Sequence, residues 1–127
     1  MKRTERDEVL LLARLIELEA GGESDEGQLA VAYTVRNRWD RQSWYGKTLW
    51  DVMTLPYQYS CFNDGLPYLE DVPEHYMEVA GAALSGRLSD PTGGATHYYA
   101  PALIPEPAWA PTMEFTVEIG GHRFYRE

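Results

Sequence analysis

With 127 residues, 44% of them apolar and 13% aromatic, the chain has the length of one domain with a single core, and its composition excludes disordered and fibrous classes. A formal net charge of −9 argues against general nucleic-acid binding, which needs basic patches for phosphate. No apolar run approaches the roughly 20 residues that cross a bilayer, and the lone Cys61 excludes an intrachain disulfide.

The opening run MKRTERD mixes bases and acids and leads into amphipathic text, without a signal peptide's apolar core or small-residue cleavage site. Synthesis in the cytoplasm without a leader is the expectation. Residues 7–20 read as a helix in which Leu12, Leu15, Ile16 and Glu19 share one face. Gly21 and Gly22 are expected to close it, because glycine tolerates the left-handed backbone of a helix end. Ser24 is the expected N-cap of a second helix, with Asp25 and Glu26 complementing its dipole and residues 28–39 continuing it. Leu29-Ala30-Val31-Ala32 is apolar nearly all round, which predicts a buried central helix, while Arg36, Arg38 and Arg41 read as its solvated basic end. A short helix over residues 48–53, an irregular aromatic stretch over 55–69 and a third long helix over 73–84, stopped by Gly86, come next.

Beyond Asp90 the text turns extended. Pro91-Thr92-Gly93-Gly94 reads as a turn, residues 95–100 as a short strand, and the proline-rich residues 103–111 as a surface loop. Met113, Phe115, Val117 and Ile119 alternate with polar residues, and Gly120-Gly121 makes a hairpin turn into residues 122–125. The prediction is a single α+β domain, mainly helical, with a short C-terminal β element.

Glu19 is where chemistry would centre. A carboxylate among leucines loses hydration, which raises its pKa, and a protonated carboxylic acid near neutral pH is what glycoside cleavage needs. At the last helical turn such an acid can face a cleft, or merely reach solvent from a frayed end. A paired-carboxylate glycosidase needs a second acid opposite; Glu23, Asp25, Glu26, Asp64 and Asp71 are all available, and spacing places none of them there. A zinc site from His97, His122 and a carboxylate lacks an H-E-x-x-H run or close ligand spacing, so neither metal nor cofactor is expected. Cys61 with His97 or His122 would make a cysteine amidase or endopeptidase, although Cys61 lies in a loop without the helix N-terminus that lowers a thiol's pKa. Tyr57, Tyr59, Tyr68, Tyr98, Tyr99 and Trp109 offer rings either to sugar faces or to packing.

Several motifs stand in order. Leu12-Ala13-Arg14-Leu15-Ile16, Glu19-Ala20-Gly21-Gly22-Glu23, Glu26-Gly27-Gln28, Ala30-Val31-Ala32, Val35 and Asn37-Arg38 resemble the opening of the SleB-like cell-wall hydrolases, a spore-cortex-lytic family with bacterial and phage members. That family's signature is E-A-x-G-E, E-G-Q-x-A-V-A and V-x-N-R. Gln58-Tyr59-Ser60 resembles its Q-F-S, with Tyr59 adding a hydroxyl to the ring. Asp90-Pro91-Thr92-Gly93-Gly94-Ala95 with Tyr98-Tyr99 resembles D-P-T-G-G-A and its aromatic strand, and Gly121-His122-Arg123-Phe124-Tyr125 resembles G-x-H-x-F-Y. The resemblance spans residues 12–125.

It implies a small lysozyme-superfamily domain acting on the glycan strands of peptidoglycan, one catalytic domain over residues 1–127 without a wall-binding module. By the same resemblance, Glu19 is the general acid and then the base of a lytic transglycosylase that closes a 1,6-anhydro ring on MurNAc, with no catalytic water and no second carboxylate. Glu23, Asn37, Gln58, Ser60, Tyr98, Tyr99 and His122 become candidates to bind sugar or shape the cleft. For Glu23 and Asn37 a structural hydrogen-bonding role is an equal alternative, and His97 is given a minor role. A phage or prophage origin is expected, with other virion proteins as partners or release to the wall through a holin. The competing expectation is a non-catalytic virion or glycan-binding module.

Overall fold

A computed structural model describes residues 5–127; the leaderless reading of residues 1–4 lies outside them. Helix α1 (Glu5–Ala20) carries Glu5, Asp7 and Glu8 in its first turn, where acids complement the dipole. Its inner stripe of Leu11, Leu12, Leu15 and Ile16 is fully buried. The helix does not end in left-handed backbone as expected, since neither Gly21 nor Gly22 has a positive φ. Gly21 N–H still donates to Glu17 O at 3.0 Å, and a Cβ on Gly21 would stand 2.5 Å from that same oxygen. Close backbone approach, rather than handedness, is what requires glycine there.

Helix α2 (Asp25–Arg41) starts at the predicted cap, with Ser24 Oγ accepting from Gly27 N–H at 3.2 Å. Ala30, Val31, Ala32 and Val35 are fully buried, so α2 is the central helix. The short α3 (Leu49–Thr54) packs across α1 and α2, and α4 (Glu74–Ser85) lies against both and closes at left-handed Gly86. The irregular aromatic stretch contains one 3-10 turn, Ser60–Phe62, seated on α1. Among the described residues no helix is long and apolar enough to cross a membrane.

Strands β1 (His97–Tyr99), β2 (Glu114–Ile119) and β3 (His122–Arg126) form an antiparallel sheet in the order β1-β3-β2. Phe124 of the central strand is fully buried and joins the sheet to the helical core. The expected alternation along β2 breaks at an irregularity between Phe115 and Val117, which leaves Phe115 52% exposed beside the Tyr125 ring. A mainly helical α+β domain is therefore what the chain forms.

Two long-range ties fix the sheet on the helices. Glu23, between α1 and α2, accepts the Gly121 N–H at 2.9 Å, and a Cβ on Gly120 (φ +56) would overlap its carboxylate. The hairpin turn thus needs glycine both for its backbone and for Glu23's approach. Asp90 accepts from Thr92 N–H (2.8 Å), Thr92 Oγ1 (2.6 Å) and Gly94 N–H (3.1 Å), which shapes the loop before β1. Asn37 clamps that loop to α2 by donating to Asp90 Oδ2 at 3.0 Å and to Ala95 O at 2.9 Å.

Candidate active site

The end of α1, residues 57–60, β1 with its following turn and the start of β3 enclose a cleft of about 410 Å³. Glu19, Gln58, Ser60, Tyr98, Tyr99 and His122 all line it, brought together from four separate stretches of chain. Glu23 and Asn37 do not line it; they hold the hairpin and the loop before β1. Leu18, Leu103 and Ile104 add apolar side chains to the cleft.

Glu19 stands half-buried and is the one carboxylate among the described residues that line the cleft. Ser60 Oγ and Cys61 N–H both face its Oε1 at 3.5 Å, the outer limit of hydrogen bonding. None of Glu23, Asp25, Glu26, Asp64 or Asp71 is in the cleft wall. Burial, and after it the Glu19 charge, holds the Tyr98 hydroxyl well above the ordinary tyrosine range, so it stays a neutral donor. His122 is only 8% exposed, and its ring stands edge-on to Tyr98 at 5.0 Å. Burial lowers its pKa, and its Nδ1 is buried with no hydrogen-bond partner among the described residues. The His122 ring thus lines the cleft beside Tyr98, with Nδ1 shielded from it.

Arg38 corrects the reading of the α2 arginines as a solvated end. It is 4% exposed, its Nε donating to Thr96 O at 2.6 Å and its Nη1 to Gln58 Oε1 at 3.1 Å. Its guanidinium lies 4.9 Å from both the Tyr45 and the Tyr59 rings. Gln58's carbonyl is thereby engaged, which leaves its amide NH₂ as the donor for the cleft. Helical spacing carried the signal, because Val31, Val35 and Arg38 recur on one buried stripe. Tyr59 belongs to the core at 3% exposure, its added hydroxyl 3.4 Å from Thr34 Oγ1, and Tyr68 is 87% exposed away from the cleft.

Cys61 adjoins Glu19. Burial, the Glu19 charge and a hydrogen bond to Glu19 together push its thiol up, so the nucleophilic thiolate is disfavoured. His97 packs against Trp109 at 5.0 Å and places Nδ1 3.0 Å from Thr96 Oγ1, outside the cleft wall. Burial, then the charge of Arg38, lowers its pKa from 6.5 to about 4. Between those values folded His97 is neutral while the unfolded chain binds a proton. Its share of stability is therefore present above pH 6.5 and lost as pH falls towards 4. Thermal melts over this window should fall less steeply for His97→Gln than for the unsubstituted chain; parallel curves would remove His97 as the cause.

The sequence profile of the cell wall hydrolase family matches residues 22–125. This chain belongs to that family. The cell wall hydrolase match begins just past Glu19, whereas broader likenesses span that helix as well. The chain is 30% identical over 119 residues to a spore cortex-lytic enzyme of Oceanobacillus iheyensis, covering 94% of this chain and 41% of the relative. It thus spans about two fifths of that curated relative's length. Its fold superposes on the catalytic domain of the germination-specific lytic transglycosylase SleB from Bacillus anthracis with a TM-score of 0.82, at 26% identity and 99% coverage of both chains. The catalytic domain of the Bacillus cereus SleB protein gives a TM-score of 0.84 at 27% identity, covering 99% of this chain and 94% of the other.

Proposed function

We propose that this cell wall hydrolase degrades peptidoglycan by cutting the MurNAc-GlcNAc bond as a lytic transglycosylase, with Glu19 as acid and then base. The observation that carries the reading is that Glu19 is the one carboxylate lining the cleft among the described residues. Most inverting and retaining hydrolases use a second carboxylate, as base or nucleophile, on the far side of the sugar. Transglycosylation needs only one. Glu19 gives its proton to the glycosidic oxygen as the bond to the MurNAc anomeric carbon breaks, freeing the GlcNAc hydroxyl. The resulting carboxylate takes the proton of the MurNAc C6 hydroxyl, whose oxygen bonds to the anomeric carbon and closes the 1,6-anhydro ring. The proton is returned and no water is consumed.

Around Glu19 the groups suited to hold sugar are neutral: the Tyr98 hydroxyl, the Gln58 amide, the Ser60 hydroxyl and the His122 imidazole. Neutral donors and acceptors fit N-acetyl and hydroxyl groups without a charge to desolvate.

Incubation with purified peptidoglycan and mass spectrometry of the products tests the reading. Anhydro-muramyl ends support it, and reducing ends would mean hydrolysis instead. Freed stem peptides would favour cysteine chemistry, and no product would favour a structural or glycan-binding module. Cys61→Ala should keep activity within roughly twofold, because a thiol with a raised pKa contributes no nucleophile. A drop to background would return Cys61 to the mechanism.

A further inference from the structure

A second hollow, of about 350 Å³, adjoins the Glu19 cleft. Arg38, Tyr57, Gln58 and Tyr98 line both and form the wall between them. Beyond that wall the second hollow is lined by Trp44, His97, Trp109 and Met113, none of which lines the first. Its surface is aromatic and carries no carboxylate. Its one charge, on Arg38, is already spent on Thr96 and Gln58. Such a surface suits a neutral ligand with apolar faces and hydroxyl edges.

Two of its rings are presented, not merely left over. Trp44 is 56% exposed yet backed by the Tyr45 ring at 4.1 Å, so one face is supported and the other is open. Tyr57 stands where the two hollows meet, 87% exposed, with φ +64. Left-handed backbone costs a residue with a Cβ about 1 kcal/mol or more, and an exposed ring recovers none of that by burial. The positive φ closes the Leu55–Gln58 turn, in which Gln58 N–H donates to Leu55 O at 3.2 Å, and that turn carries the Tyr57 ring to the junction of the two hollows.

We infer that this annex is a further saccharide subsite, taking a sugar of the glycan strand beyond the pair cut at Glu19 by stacking it on Trp44 and Tyr57. The inference rests on the proposed function and adds to it a preference for longer strands. It also gives neutral His97 and the Gln58 amide a place beside that sugar's edge.

The test compares peptide-free substrates of two lengths, a disaccharide holding only the scissile MurNAc-GlcNAc pair and an octasaccharide. Trp44→Ala should raise KM for the octasaccharide roughly three- to tenfold, leave the disaccharide unchanged, and be rescued by Trp44→Phe. Met113→Arg, which fills the annex without removing a ring, should give the same length-selective loss. Unchanged turnover of the disaccharide shows that each variant is folded. An equal loss on both strands, or no loss on the octasaccharide, overturns the subsite while leaving the proposed function standing. If the unsubstituted chain cleaves neither strand, the proposed function fails and the subsite with it.

Discussion

Glu19→Gln should lower the rate of anhydro-muramyl product formation by roughly a thousandfold or more, because in the proposed mechanism one residue serves as both acid and base and general acid-base catalysis contributes about 10²–10⁴. The amide is nearly isosteric with the carboxylic acid but neither gives up nor accepts a proton at the glycosidic oxygen. Its neighbours give little reason for the fold to change. The contacts from Ser60 Oγ and Cys61 N–H are at 3.5 Å, and the side chain is only half-buried. Unfolding free energy should therefore move by no more than about 0.5 kcal/mol. The decisive pair of measurements is product release from peptidoglycan and a thermal melt of the same preparation. Full activity in Glu19→Gln would sink the mechanism. Lost activity with a large fall in melting temperature would make Glu19 a structural residue.

Arg38→Met should have the largest effect on stability, about 2–4 kcal/mol, and should lower the melting temperature by roughly 10 °C. Methionine fills much of the volume but donates nothing, so Thr96 O and Gln58 Oε1 lose their donors inside the protein. The cation held between Tyr45 and Tyr59 is lost as well. Activity should fall in the fraction that stays folded, because Gln58 is no longer held against the cleft. Arg38→Lys should lie between, as an ammonium cannot reproduce the planar fork that reaches both acceptors. A melting temperature within about 2 °C of the unsubstituted chain would show that these bonds do not anchor the fold.

The helices were legible because their causes are local. The apolar spacing of Leu12, Leu15 and Ile16, the Ser24 cap and the Gly86 stop all act within a few residues of one another. The same holds for the Gly120-Gly121 hairpin. Gly21 misled for a related reason: a local rule names glycine at a helix end but not which of its two freedoms, handedness or close approach, is being used. Arg38 was misread because charge suggests solvent, and only its distant partners Thr96 and Gln58 make burial tolerable. Most of the motif residues meet at one cleft, while Glu23 and Asn37 tie the hairpin and the loop before β1, and Tyr59 packs in the core.

By itself, then, the amino-acid order determined the α+β class, the order and approximate bounds of the elements, and Glu19 as the acid most worth attention. Those follow from periodicity, capping and turn chemistry, whose energies are set over a turn or two of chain. Tertiary structure alone decided which groups surround Glu19, that no second carboxylate among the described residues lines its cleft, and that Trp44 and Trp109 line a hollow beside it. Residues 57–60, β1 and His122 come from distant parts of the chain, and their meeting depends on ties such as Glu23 to Gly121 and Asn37 to Asp90. Spacing along a chain carries no record of such contacts, because only folding brings their partners within hydrogen-bonding distance.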